Sequence, residues 1–249
     1  MCGRYSLVAT PDEVRELFEY LEQPNFPPRY NIAPTQPIAV VRQGRENREF
    51  ALMRWGLIPS WVKDTQSFTL LINARSETAD AKPSFRNAFK RRRCLIPASG
   101  FYEWQKTSDK QKQPYWLHPA KPGPIAFAGL WECWVGEDGS EIDTAAILTV
   151  EANETLTSIH HRMPVVIQKA DFSRWLETPE QEAGDVKDLL AAAPEDYFQA
   201  VPVSTRVNAV RNDDEGLQDA VEVRAVVAEV EKPVGEGKAE PDDGQMSLL

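Results

Sequence analysis

The chain has 249 residues, 42% of them hydrophobic and 27% charged, with a formal net charge of -10; this is the makeup of a soluble domain with one sizeable core and no bilayer-spanning stretch. The acidic balance excludes a protein that coats nucleic acid by bulk electrostatics, since most of its surface would repel phosphate, so any DNA contact has to be local. Its cysteines, Cys2, Cys94 and Cys133, form no CxxC pair, which leaves no support for a disulfide framework or a structural zinc site, and no metal or organic cofactor is expected.

The chain opens MCGRY. Methionine is trimmed before small residues, so Cys2 is expected to become the mature N-terminus, a thiol beside a free α-amine. With a pKa near ~7.7 to 8.0, against ~10.4 for a lysine, that amine is partly neutral at physiological pH. It can condense with an aldehyde to an imine, and the thiol, once deprotonated, can close a five-membered thiazolidine on the imine carbon. An internal cysteine cannot do this, because its nitrogen is held in a peptide bond. The opening segment lacks the basic region, apolar run and cleavage site of a signal peptide, so a cytoplasmic, or in a eukaryote nuclear, protein is expected.

TPDEVRELFEYLEQ predicts a helix, with Thr10 as N-cap, Pro11 at the first position, Glu13 closing a capping box, and Val14, Leu17, Phe18 and Leu21 on one face. PPRYNIAPTQP then fixes a turning loop through its prolines. Short strand-like runs follow at PIAVV, FALMRW, TLLINA, RCLIPA, GFYEW, PYWLH, PIAFAGLW, AAILTV and PVVI, separated by turn signals such as RQGREN and GEDGS. Helical patterns return at FSRWLE and EQEAGDVKDLLAAA, and the strand-like FQAVPV leads into STRVNAVRNDDEG. The expected architecture is α+β, a mainly antiparallel, barrel-like β core with peripheral helices. Residues 1–222 read as the domain; residues 223–249, rich in Gly, Pro and acid, read as a flexible tail.

Several residues carry chemistry and an ordinary reading side by side. Glu103, between Tyr102 and Trp104, is either the solvent-facing half of a strand alternation or a desolvated catalytic acid. Asn73 and Arg75 alternate with apolar neighbours and can equally face water. His160 and His161 form a doublet before a strand, a position that suits one fixed imidazole or an idle loop. Trp55, Trp61, Phe101 and Trp104 belong to a core or stack on bases. The run Arg86, Lys90, Arg91, Arg92 and Arg93 reads first as a solvated helix face and second as a phosphate contact.

Taken together, MCGRY, YNIAPTQ, RWGLIPSW, INARSET, GFYEW, IHHRMPVVI and STRVNAVRND resemble the motifs of the SRAP family, the SOS response-associated peptidases, over residues 2–216. The resemblance implies a sensor of abasic sites in single-stranded DNA that joins its N-terminal cysteine to the ring-opened sugar as a thiazolidine, shielding the lesion. It implies Cys2 as nucleophile, Asn73 orienting the sugar, Glu103 assisting the amine and imine steps, and His160, the first position of H-x-R-M-P, as acid or base in ring opening. It further implies Arg4, Arg75 and Arg162 on the DNA backbone, and Trp55 and Trp104 with the Pro34 loop holding a bent strand. Autoproteolytic loss of Met1 would use the same residues. A cysteine peptidase acting on other proteins and a noncovalent DNA-binding module are the alternatives. The terminal QMSLL resembles a linear motif for the bacterial sliding clamp, with Gln245, Leu248 and Leu249 as its contacts. A monomer is expected.

Overall fold

The computed structural model describes residues 2–65, 67–107, 111–177 and 186–222. The predicted tail with its QMSLL motif lies outside the described residues, as does the start of the helix predicted at EQEAGDVKDLLAAA, whose described part holds a 3-10 turn at Lys187–Leu189.

Five strands close on themselves. They are β3 (Pro37–Gln43), β4 (Arg48–Trp55), β6 (Arg93–Ala98), β9 (Ile125–Val135) and β10 (Glu141–Glu151). β4 pairs with β3, β3 with β6, β6 with β9 and β9 with β10, all antiparallel, and β10 returns to β4 through a parallel pairing of Thr144 with Arg54 and Ala145 with Trp55. Closure leaves the ring without an edge, and its alternating inward residues fill the barrel. The β9–β10 turn is the predicted GEDGS, in which Gly139 takes a φ of 80° that favours glycine.

A second, antiparallel sheet runs in the order β13 (Phe198–Pro202), β8 (Lys112–Pro119), β7 (Gly100–Lys106), β1 (Tyr5–Leu7), β2 (Arg29–Ile32). The chain passes from barrel to sheet at Ser99, whose hydroxyl accepts the amides of Val8 and Ala9. Tyr5 seals the junction by packing edge-on against Trp55 and Phe127, at 5.3 and 6.2 Å between ring centroids. Burying each such ring contributes on the order of 2 kcal/mol.

Three elements differ from expectation for physical reasons. Helix α1 (Pro11–Phe18) has its capping box, but Glu19 adopts a left-handed φ of 60° and stops it a turn early. Leu21 consequently leaves the apolar face and is 73% exposed. The strand predicted at TLLINA is confined to β5 (Asn73–Arg75), since only these residues pair in parallel with Ile147–Thr149 of β10. PVVI divides at Val165: β11 (Arg162–Pro164) pairs with β10, whereas β12 (Val166–Ile167) pairs with β9, and Val165 bridges them by donating to Leu148 and accepting from Ala128. Short helices α2 (Arg86–Arg91), α3 (Glu154–Thr157) and α4 (Phe172–Leu176) lie around the periphery, with α1 fastened to α4 by stacking of Phe18 on Phe172. No described helix is long and apolar enough to cross a membrane.

Candidate active site at the start of the first strand

β10 is the organiser of the site. It overruns the barrel and holds β5 on one side and β11 on the other, so that Asn73, Arg75 and Arg162 arrive from distant parts of the sequence. β1 pairs with β7 at Tyr5–Phe101, and Tyr102 donates its amide to the Arg4 carbonyl, which brings the segment preceding Tyr5 alongside Glu103.

Asn73 donates from Nδ2 to the Cys2 carbonyl at 2.8 Å, fixing the position of that residue, while its Oδ1 is buried with no hydrogen-bond partner. Cys2 is 0% exposed, and its thiol lies 3.8 Å from the Arg4 carbonyl. Burial, reinforced by the negative charge of Glu103, pushes the thiol well above its ordinary range. Glu103 is itself buried, and desolvation pushes its carboxyl up to about 7. The solvent-facing reading of its alternation is therefore excluded. A carboxyl of that kind exchanges protons near neutrality and suits acid–base work beside a thiol and an amine.

His160 places Nδ1 3.8 Å from Glu103 Oε1 and 3.0 Å from the Arg162 amide. Nδ1 also lies 3.1 Å from the Arg162 carbonyl, so the Arg162 backbone offers it both a donor and an acceptor and fixes the ring in either tautomer. Burial holds the imidazole below its usual pKa, so it is neutral at physiological pH. The His161 ring lies against it at 4.4 Å.

The arginines divide. Arg162 is buried; it forms a two-pronged pair with the Glu77 carboxylate at 2.6 and 2.9 Å and donates to the Thr149 carbonyl. Arg4 is half-buried and donates to Asn31 Oδ1 and the Val207 carbonyl, both at 2.7 Å. Arg75 is exposed and borders an open depression of 310 Å³ that also touches Thr157, His161 and Arg162. A larger hollow of 510 Å³, beside Trp116, His118 and Pro122, contains none of the residues expected at the site.

Trp55 is fully buried and donates to the Ile72 carbonyl, so it offers no face for a base and takes the core alternative. Phe101 is likewise core, whereas Trp61 is 57% exposed. Trp104 is half-buried and donates to Asn208 Oδ1 at 2.8 Å. Pro34 stays partly exposed on a turn in which Thr35 adopts a φ of 74° and donates to the Trp55 carbonyl. A β-branched residue in that region is strained, and the hydrogen bond holds the turn rigid. In the basic run, Arg93 is buried on the carbonyls of Trp175, Phe89 and Glu177, and Arg92 pairs with Glu132. Arg86, Lys90 and Arg91 are exposed.

Sequence reading missed three groups. Glu77 shares β5's extension with Arg75 but serves Arg162. Asn31 anchors Arg4 and the carbonyls of Ala209 and Asn212, and Asp213 accepts the amides of Tyr30 and Asn31. Tyr5, buried at the junction, has a hydroxyl without a hydrogen-bond partner. The pairing of YNIAPTQ with VRND was foreshadowed only by the polar residues both stretches carry. Among the described residues, no group of three or more His, Cys, Asp or Glu is placed to hold a metal ion.

Comparison with known proteins fits this geometry. The family model described as SOS response associated peptidase (SRAP) matches residues 1–210. The chain is 36% identical over 220 residues to the abasic site processing protein YoqW of Bacillus subtilis, covering 87% of this chain and 98% of that protein. It is 34% identical over 231 residues to the abasic site processing protein HMCES of Gallus gallus, covering 80% of this chain and 68% of that protein. A crystal structure of a Bordetella bronchiseptica protein superposes with a TM-score of 0.72 at 29% identity, over 82% of this chain and all of that one. One from Bacteroides thetaiotaomicron reaches 0.79 at 22% identity over 89% of this chain and 100% of its own, a likeness of fold. The chain belongs to the SOS response associated peptidase (SRAP) family.

Proposed function

We propose that this protein processes abasic sites in single-stranded DNA by forming a covalent adduct through Cys2 after Met1 has been removed. The free α-amine attacks the aldehyde carbon of the ring-opened deoxyribose, and loss of water gives an imine. The Cys2 sulfur then bonds to the imine carbon while the thiol proton passes to the imine nitrogen, closing a thiazolidine. The net change is one water lost per adduct. Glu103 carries protons between amine, water and thiol, and His160 protonates or deprotonates the sugar during ring opening.

The observation that carries this reading is the hydrogen bond from Asn73 to the Cys2 carbonyl at 2.8 Å, which fixes the cysteine beside a carboxyl with a pKa of about 7. The relatives named abasic site processing proteins support it. On an acidic protein the DNA strand needs local positive charge, and the exposed guanidinium of Arg75 next to the site supplies it. Arg4 and Arg162, tied to protein groups, reach phosphate only with their remaining donors. Ring closure turns a reactive aldehyde into a stable ring, which would protect the strand from cleavage at the lesion.

The test is to incubate wild type, Cys2→Ser and Cys2→Ala with single-stranded DNA carrying one abasic site, then denature. Wild type is expected to give a denaturation-resistant complex and the variants not. Equal yields from all three would remove the covalent mechanism.

A further inference from the structure

The torsion that carries a histidine ring joins a tetrahedral carbon to a flat group, so its wells are broad, and hydrogen bonds at one nitrogen leave the ring free to pivot about that atom. His160 is held at one edge in this way, with Nδ1 3.0 Å from the Arg162 amide and 3.1 Å from the Arg162 carbonyl. Contact on the face of the ring removes the remaining freedom. His161 supplies it, its ring centroid 4.4 Å from that of His160 and the two planes inclined by 34°. The outer residue is itself fixed. Its carbonyl accepts the Ala152 amide at 3.1 Å, and the next residue, Arg162, opens β11 by pairing with Glu151 of β10. The main chain beneath the outer ring thus belongs to the β10–β11 ladder. The two rings also divide their surroundings: His161 is exposed and borders the 310 Å³ depression with Arg75 and Thr157, whereas His160 is partly buried, lies 3.8 Å from Glu103 and does not border that depression.

We infer that His161 is a positioning residue for His160, a plate against which the inner imidazole keeps the orientation it uses in sugar ring opening. The inference rests on the reaction proposed above. The role belongs to the flat face of the outer ring, because Glu103 and the Arg162 backbone already meet the inner imidazole at Nδ1. The attraction between two rings in such contact corresponds to about a two- to tenfold difference in population, so without the plate His160 turns out of line in that proportion.

The test follows adduct formation by Met1-free protein on single-stranded DNA carrying one abasic site, over time and over protein concentration, in His161→Ala, His161→Gln and His161→Phe. The alanine and glutamine variants are expected to half-saturate at the wild-type concentration and to lose about two- to tenfold in limiting rate. Phenylalanine, which restores a flat ring without nitrogens, should stay close to wild type. In a His160→Ala background, His161→Ala should cost nothing more, because its effect passes through His160. A rate retained by glutamine and lost by phenylalanine would overturn the inference, since the imidazole nitrogens would then carry the role. An unchanged alanine variant, losses that add in the double variant, or a raised half-saturating concentration at an unchanged limiting rate would overturn it too, the last by making His161 a DNA contact. Should His161→Ala melt well below wild type, the glutamine and phenylalanine variants carry the comparison. Crosslinking by Cys2 survives each of these results. Wild type that gives no adduct, or His160→Ala with no loss of rate, removes the underlying reaction step and this inference with it.

Discussion

Cys2 and Cys94 are both fully buried, and burial raises both thiols. Their neighbourhoods separate them. Cys94 lies in β6, packed so closely on β9 that a Cβ at Gly129 would stand 2.7 Å from its sulfur, and its carbonyl accepts the Trp175 indole at 2.8 Å. Cys2 has a carboxyl of elevated pKa, an imidazole 3.8 Å from that carboxyl, and a carbonyl held by Asn73, whose Oδ1 is buried without a partner. Low exposure and a raised pKa do not mark a reactive cysteine; groups that can move its proton do.

The sharpest way to break this contrast is to truncate each thiol. Cys2→Ala is expected to abolish adduct formation, a loss of at least about 100-fold, with the fold retained. Cys94→Ala is expected to keep the adduct and lose about 1–2 kcal/mol of stability. Comparable adduct loss from Cys94→Ala in denaturing gels, with its fold intact by circular dichroism, would erase the distinction.

Glu103→Gln should come next, slowing adduct formation by roughly 10²-fold. The pH response sharpens the point. Wild-type rate should climb through about pH 7 as the carboxyl ionises, and the variant's profile should lose that step. Stability runs the other way. A carboxyl whose folded pKa of about 7 exceeds the ordinary glutamate value of 4.5 binds more protons in the native state between those limits. Its contribution is complete below about pH 4.5 and is lost as pH rises through about 7, by at most about 3 kcal/mol. Denaturant midpoints near pH 5 and pH 8 should converge in Glu103→Gln relative to wild type.

The smallest effect expected is at Arg75. Its replacement by alanine should leave stability within about 0.5 kcal/mol, weaken DNA binding a few-fold and reduce the salt dependence by roughly one counterion. Glu77→Ala should instead lower stability by about 1–3 kcal/mol, because it strips the buried Arg162 guanidinium of its partner, softened by Glu77 being 46% exposed. A salt titration of abasic-DNA binding with both variants checks the division between a free and a committed arginine.

Local signals were the legible part of this protein. The capping box of α1, the turn residues of the barrel and the period of its strands follow from near neighbours in sequence. Where the helix ends, where TLLINA pairs and why PVVI splits depend on which strand lies alongside, a property of the closed ring. The site follows the same division. The residue types of Cys2, Asn73, Glu103 and His160 were readable, but the commitment of Arg162 to Glu77 and of Trp55 to the core was not, because both follow from contacts across more than fifteen residues of sequence. Alternation in INARSET gave no means of telling which charge faces inward.

The most direct measurement is the intact mass of the adduct between Met1-free protein and a single-stranded oligonucleotide with one abasic site, compared with a chain whose amine is blocked by acetylation of Cys2. The account predicts a species equal to protein plus DNA less one water from the free amine, stable to borohydride omission and to denaturation, and none from the blocked chain. An equal amount of adduct from the acetylated protein would contradict it.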